Sequence, residues 1–211
     1  SIQKVTEEIV IKLAKSLKYE TGINNICLAG GVALNCVANG KLLKEKIFKN
    51  IWIQPASGDA GSSIGAALNV WYGFLRKPRE ANPEDSMKGT FLGCDFSNQQ
   101  IINYLNKIQA NFKVLEDNAL FEEIARLIDE GKVIGWFNGP MEFGPRALGG
   151  RSIIGDPRNS DMQSVMNLKI KYRESFRPFA PSILEEEVTN QFDLNTKSPY
   201  MLLVAPLKEE L

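Results

Sequence analysis

The sequence predicts an α/β protein built in two units, and three observations carry that expectation. From the N-terminus to Phe74, helical and strand-like patterns alternate in the order helix, strand, helix, strand, helix. A polar stretch from Arg76 to Met87 then breaks the pattern with two prolines and no periodicity, as a linker does. Beyond it a second alternation runs into two Gly-, Pro- and Arg-rich stretches. These are W-F-N-G-P-M-E-F-G-P-R-A-L-G-G-R-S-I-I-G-D-P-R from Trp136 and K-I-K-Y-R-E-S-F-R-P-F-A-P ending at Pro181.

Each element has a local reason. Val5, Ile9, Leu13 and Leu17 recur four apart across residues 3–18 and predict an amphipathic helix, closed at Thr21-Gly22. Asn25 to Ala29 reads as a buried strand leading into Gly30-Gly31-Val32-Ala33-Leu34-Asn35. A helix from Asn35 to about Lys46 and a strand from Asn50 to Gln54 follow. The small residues from Pro55 to Ala67 form a turn that opens a third helix reaching Phe74. In the second unit Ser97 is an N-cap for a helix carrying Ile101, Leu105 and Ile108 on one face. Strands are expected at Phe112–Leu115, Lys132–Phe137, Ser152–Ile154, Pro181–Leu184 and Tyr200–Val204, with helices at Ala119–Glu130 and Asp161–Asn167. Met141, Met162, Met166 and the tryptophans are assigned to the core. Ser1 already sits inside a helical pattern and Leu211 follows an apolar run, so both ends read as cuts from a longer chain.

Composition narrows the function. The 25 Lys+Arg and 25 Asp+Glu residues balance, which argues against a general electrostatic role on nucleic acid or membranes. Three scattered cysteines without a CxxC pair point to a reducing, cytoplasmic compartment rather than a disulfide framework or a cysteine zinc site. No apolar run approaches a membrane span, and no signal-peptide pattern opens the chain. The chain contains no histidine, which removes the commonest general base and metal ligand from these 211 residues.

The chemistry concentrates between Arg146 and Arg177. Seven cations (Arg146, Arg151, Arg158, Lys169, Lys171, Arg173 and Arg177) face only Asp156, Asp161 and Glu174, a local +4 in a chain of net zero. Glycines and prolines shape the backbone around them, and Phe143, Phe176 and Phe179 interleave with them, which predicts burial beside the charges. Rigid turns presenting guanidinium forks hold phosphate or carboxylate oxygens. The pattern is read as an anion site for a phosphorylated small molecule; ion-pair scaffolding with Glu142 and Glu174 and single-stranded nucleic-acid binding are the alternatives. Strand, Gly30-Gly31 and helix have the geometry of a nucleotide-binding turn, yet match neither a Rossmann nor a Walker pattern; a plain tight turn is the other reading. Asp59, at the start of the small-residue helix, is read as a helix cap or as a contact to metal or phosphate.

Four motifs in order resemble the NodU/CmcH/TobZ-type O-carbamoyltransferase family: G-G-V-A-L-N, P-x-S-G-D-A-G-x-x-x-G-A-A, M-E-F-G-P-R-A-L-G-x-R-S-I-x-x-D-P-R and N-x-K-I-K-Y-R-E-x-F-R-P-F-A-P-S. The resemblance implies that residues 1–78 close an actin/sugar-kinase-like (ASKHA) domain. Residues 79–87 would be a linker, and 88–211 would open a YrdC-like α/β domain, both domains being truncated. It further implies that carbamoyl phosphate and ATP form carbamoyl-adenylate, whose carbamoyl group passes to a hydroxyl of a small-molecule acceptor such as a sugar or antibiotic. Arg146, Lys171 and Arg177 match the family's catalytic cations, Arg151 and Arg173 are second phosphate contacts, and Gly30, Gly31 and Asn35 line a nucleotide pocket. Asp59 matches a carboxylate ligand to iron, Fe2+, whose histidine ligands lie upstream of this chain; Mg2+ with the nucleotide fits the same chemistry. Pro140 departs from the basic residue many relatives carry there. The resemblance also implies that the chain alone cannot turn over and that the protein forms a homodimer. Two other readings stay open: an enzyme of the tRNA threonylcarbamoyl-adenosine pathway, and a non-catalytic nucleotide-binding module.

Overall fold

The computed structural model describes residues 1–82 and 84–208; Pro83 of the expected linker and the expected cut end at Leu211 lie outside the described residues. The chain is α/β and divides into two compact units that do not follow chain order. The first contains Ser1–Thr90, Glu142–Leu148 and the residues from Ile183 on; the second contains Phe91–Met141 and Gly149–Ser182.

In the first unit, α1 (Ile2–Thr21) ends where Gly22 turns left-handed at φ 67° and its N–H bonds the Lys18 carbonyl at 2.9 Å. β1 (Asn25–Leu28) and β2 (Asn50–Ile53) pair in parallel, Asn25 opposite Asn50 and Leu28 opposite Ile53. Their connection is a 3-10 turn at Gly31–Leu34 followed by α2 (Cys36–Lys44), where a single helix was expected to begin directly at Asn35. α3 (Asp59–Leu68) passes into a π-helical stretch, Asn69–Phe74, which completes the expected third helix.

The core of this unit is not where the α1 pattern placed it. Val5, Ile9, Leu13 and Leu17 are exposed, while Ile11 and Ala14 are buried with Ile26, Leu42 and Phe48. Ile11 lies about 200° around the helix from Ile9, so the helix packs through nearly the opposite side. A second cluster joins Ala33, Ile53, Ala56, Met87, Tyr200 and Leu202, with Phe143 and Leu148 packed against it. Tyr200–Val204 forms no strand. Its Leu202 carbonyl instead accepts from the buried Asn39 amide at 3.0 Å, and Asn39 also donates to the Ala33 carbonyl at 2.8 Å. Gly40 on α2 is required there, since a Cβ would meet the Val204 carbonyl oxygen at 2.4 Å. Pro181–Leu184 is likewise not a strand; the 3-10 turn Glu185–Glu187 and α7 (Val188–Gln191) follow it, and Phe192 bridges Leu207.

In the second unit, α4 (Asn98–Lys107) starts with a full capping box between Ser97 and Gln100, as the Ser97 cap predicts. The expected strand at 112–115 is absent, and α5 (Asp117–Asp129) follows. β3 (Ile134–Phe137) and β4 (Arg151–Ile154) pair antiparallel, Ile134 opposite Ile154. α6 (Met162–Val165) continues as a π-helical stretch, Met166–Ile170. Met162 and Met166 are buried, as expected, and crowd Gly155, where a Cβ would lie 2.8 Å from both sulfurs. Met141, Trp52 and Trp71 are exposed instead: Trp52 lies on a strand of a two-stranded sheet, Trp71 on the π-helical stretch Asn69–Phe74 and Met141 in a loop. Cys27, Cys36 and Cys94 are free thiols. Among the described residues no helix is long and apolar enough to cross a membrane.

Candidate functional site

The Gly30–Asn35 turn holds a backbone that only glycine adopts easily: Gly30 has φ 91° and ψ 165°, and nothing lies within 4 Å of a Cβ placed on Gly30 or Gly31. The turn is open on the side that a side chain at either glycine would occupy. Asn35, by contrast, spends its side chain on the fold. Its oxygen caps α2 by accepting from the Ala38 N–H at 3.1 Å, and its amide exchanges hydrogen bonds with Gln3 at 2.9 and 3.2 Å.

Arg146 belongs to the same unit as this turn. Its Nη2 donates to the Leu34 carbonyl at 3.1 Å, and its Nε is buried without a partner. The heptapeptide around it is firmly seated. The Phe143 N–H donates to the Thr90 carbonyl at 2.6 Å, the Leu148 N–H donates to the buried Glu142 carboxylate at 2.6 Å, and Gly144 passes close to Pro55 and Ala56. Asp59 sits exposed in the first turn of α3, with no side-chain bond to the helix N-terminus. It is therefore not a hydrogen-bonded cap, although its charge complements the helix dipole. A single carboxylate cannot build an iron coordination shell, and among the described residues no group of three or more His, Cys, Asp or Glu side chains gathers. Asp59 would supply one ligand of the iron centre that the resemblance implies, and the described residues do not complete it.

Lys171, Arg173 and Arg177 lie together on the loop after α6, in the second unit. The loop is organised by Asn167, the only member of the motif fully enclosed by protein at 0% exposure. Its amide nitrogen donates to the Ser175 carbonyl at 3.1 Å and the Arg177 carbonyl at 2.8 Å, while its amide oxygen accepts from Arg173 Nε at 2.6 Å. The Arg173 guanidinium also lies 4.8 Å over the Phe179 ring. Arg177 Nε donates to Glu174 at 2.7 Å. The Glu174 carboxyl is held below its ordinary range, first by its own backbone N–H and then by Arg177. Among the described residues the Lys171 ammonium has no ion pair, so it is the least committed cation of the three. Asn167 carried no signal in a charge pattern. Only its place inside N-x-K-I-K-Y-R-E, six residues before Arg173, could have drawn attention to it.

Two other expectations change. Phe176 and Tyr172 are 78% and 86% exposed, so of the two aromatics expected beside the cations in this unit only Phe179 packs on one. The loop turns outward at Tyr172, which adopts φ 49°. Phe143 instead packs with Ala33 and Ile53 in the first unit. Arg158 is a scaffold: it bonds Asp156 through Nε and Nη2 at 2.9 Å and Asp129 at 2.6 Å, holding the Asp156 carboxyl below its ordinary range.

Arg151 is also engaged with the fold. It lies 3.4 Å over the Phe137 ring, and its Nη1 donates to the Gly139 carbonyl at 3.0 Å and the Gly150 carbonyl at 2.7 Å. These contacts close the loop between β3 and β4. Lysine keeps the charge but cannot span both carbonyls while lying flat on the ring. Arg151→Lys is expected to lower stability by about 1–2 kcal/mol, read as the midpoint of thermal unfolding. An unchanged midpoint would show that these contacts add little to the stability of the loop.

The chain is an α/β protein with an open diglycine turn in one unit and a cation-bearing loop in the other. Family models identify it further: Carbamoyltransferase N-terminus matches residues 1–68, and Carbamoyltransferase C-terminus matches residues 125–211. The chain belongs to the carbamoyltransferase family. It is 60% identical over its whole length to the Uncharacterized protein sll1178 of Synechocystis sp.. It is 40% identical over 99% of its length to Nodulation protein NolO of Bradyrhizobium diazoefficiens, and 31% identical over 92% to Nodulation protein U of Sinorhizobium fredii. It spans 35%, 38% and 32% of the length of those relatives.

Proposed function

We propose that this chain is part of an O-carbamoyltransferase that makes carbamoyl-adenylate from carbamoyl phosphate and ATP and passes the carbamoyl group to a hydroxyl of a small-molecule acceptor. The observation that carries the reading is the Asn167-centred loop, which gathers Lys171, Arg173 and Arg177 within seven residues on a carboxylate-poor segment of a family member. In the first step carbamoyl phosphate and one water lose inorganic phosphate, and the carbamate oxygen attacks the α-phosphorus of ATP with loss of pyrophosphate. Both departures build charge on phosphoryl oxygens, and fixed cations oppose that charge most strongly where water is excluded. In the second step the acceptor hydroxyl attacks the carbamoyl carbon, loses its proton and releases AMP.

Lys171, Arg173 and Arg177 are assigned to phosphoryl oxygens. Arg146, with Nη2 held by Leu34, leaves Nη1 for an anion at the Gly30–Gly31 turn, where the nucleotide phosphate approaches the backbone. Asp59, exposed at the start of α3, offers one carboxylate to Fe2+ or to Mg2+ on the nucleotide, with the remaining ligands supplied from outside these residues. The test is ATP–pyrophosphate exchange by the protein at its full natural length, with and without carbamoyl phosphate. Exchange is expected only when carbamoyl phosphate is present, and to collapse in Arg177→Ala. Exchange that needs threonine and bicarbonate instead would replace this reading with threonylcarbamoyl chemistry on tRNA. No exchange in a folded protein would leave a nucleotide-binding module.

A further inference from the structure

The three cations do not arrange themselves. Three of the hydrogen bonds that tie residues 171–177 to the preceding turns come from one buried side-chain amide, that of Asn167, and both of its polar atoms are used. The Asn167 nitrogen has two N–H groups, and two carbonyls, those of Ser175 and Arg177, receive them. Its oxygen takes the Arg173 Nε–H, and its backbone carbonyl takes the Arg173 N–H at 3.0 Å. The amide orientation is fixed by its partners, because a flipped amide would set N–H against Nε–H and oxygen against two carbonyls. Gln163 adds a second donor to the Arg177 carbonyl at 3.0 Å.

The consequence is geometric. A guanidinium has five N–H donors, and holding it by Nε leaves the Nη1/Nη2 edge as a two-pronged fork. The Phe179 ring beneath restricts the plane of that fork, while Asn167 restricts its direction. A fork aimed by two contacts meets two oxygens of one phosphoryl group without first being ordered, which is what makes bidentate binding strong and selective.

We propose that Asn167 is the positioning residue of the phosphate-binding loop, aiming Arg173 at the phosphoryl group through Nε and fixing the backbone that carries Arg177. The inference rests on the carbamoyl-phosphate reading given above and adds to it which residue sets the geometry. Asn167 touches no substrate; it acts through Arg173.

The experiment is a double-mutant cycle on the full-length protein, read as KM for carbamoyl phosphate in ATP–pyrophosphate exchange. Asn167→Ala is expected to raise that KM by about 10–100-fold, the scale on which a displaced contact weakens a site. In an Arg173→Ala background the same change is expected to add less than about threefold, since the residue through which it acts is gone. A purely structural role would instead give independent, multiplying losses in the two backgrounds, and that result overturns the inference. Arg173→Lys, which leaves Asn167 and its two carbonyl partners in place, decides the matter if Asn167→Ala does not fold. Lysine supplies charge but no Nε-held fork, so its KM is expected to match that of Arg173→Ala; a wild-type KM overturns the inference. If Arg173→Ala itself has a wild-type KM, the anion-site reading fails, and the positioning role fails with it.

Discussion

Arg173→Ala is expected to reduce carbamoyl-phosphate-dependent pyrophosphate exchange by about 10²–10³-fold, the usual effect of removing one preorganised donor from developing oxyanion charge. The expectation follows from how completely the residue is constrained. Its Nε is bound to a buried amide, its N–H to a backbone carbonyl, and its guanidinium rests on an aromatic ring. Arg177 is paired with Glu174 through Nε and half-exposed, so part of its charge is already answered. Its loss should therefore be felt less than that of Arg173. A set of variants in which Arg177→Ala is more damaging than Arg173→Ala would show that the Glu174 pair opens during binding and that Arg177 is the principal contact.

Leu42→Ala is expected to cost about 2–5 kcal/mol of stability, the range for deleting a fully buried leucine side chain where neighbours cannot close the gap. Leu42 is 0% exposed and sits among Ile11 and Ala14 of α1, Ile26 of β1 and Phe48. It is the point at which helix α1, helix α2 and the parallel strand pair meet. α2 cannot settle inward to fill the space, because Asn39 fixes it to the Ala33 and Leu202 carbonyls and Gly40 already touches the Val204 backbone. The measurement is the denaturant midpoint of the first unit's transition. A loss below about 1 kcal/mol would mean that the cluster repacks and that the α2 anchors are weaker than their geometry suggests.

What could be read from the residues was local. Gly22 ended α1, the Ser97 capping box began α4, and the β1–α2–β2 alternation produced a parallel pair. The strands expected at 112–115, 181–184 and 200–204 were apolar runs without ladders. A run of apolar residues guarantees neither burial nor a partner strand for the backbone groups: Val114, Leu115, Leu184 and Val204 are exposed. At Leu202 the partner was an asparagine side chain on α2, distant in sequence.

The site divides in the same way. The sequence alone determined the chemistry available to this protein: a cation-rich, histidine-free segment built on glycine and proline, and motifs that place it in the carbamoyltransferase family. Residue identity fixes charge, and Gly and Pro fix which turns the backbone adopts. The tertiary structure decided which cations are available. Arg158 is answered by Asp156 and Asp129, and Arg151 is bound to loop carbonyls. Arg146 is joined to the Leu34 turn, and Arg173 is held by Asn167. Asp156, Gly150 and Asn167 are near neighbours in sequence, whereas Asp129 for Arg158, Gly139 for Arg151 and Leu34 for Arg146 are brought in by packing at a distance. A guanidinium takes whichever oxygen the fold brings within reach, and no one-dimensional pattern contains that information.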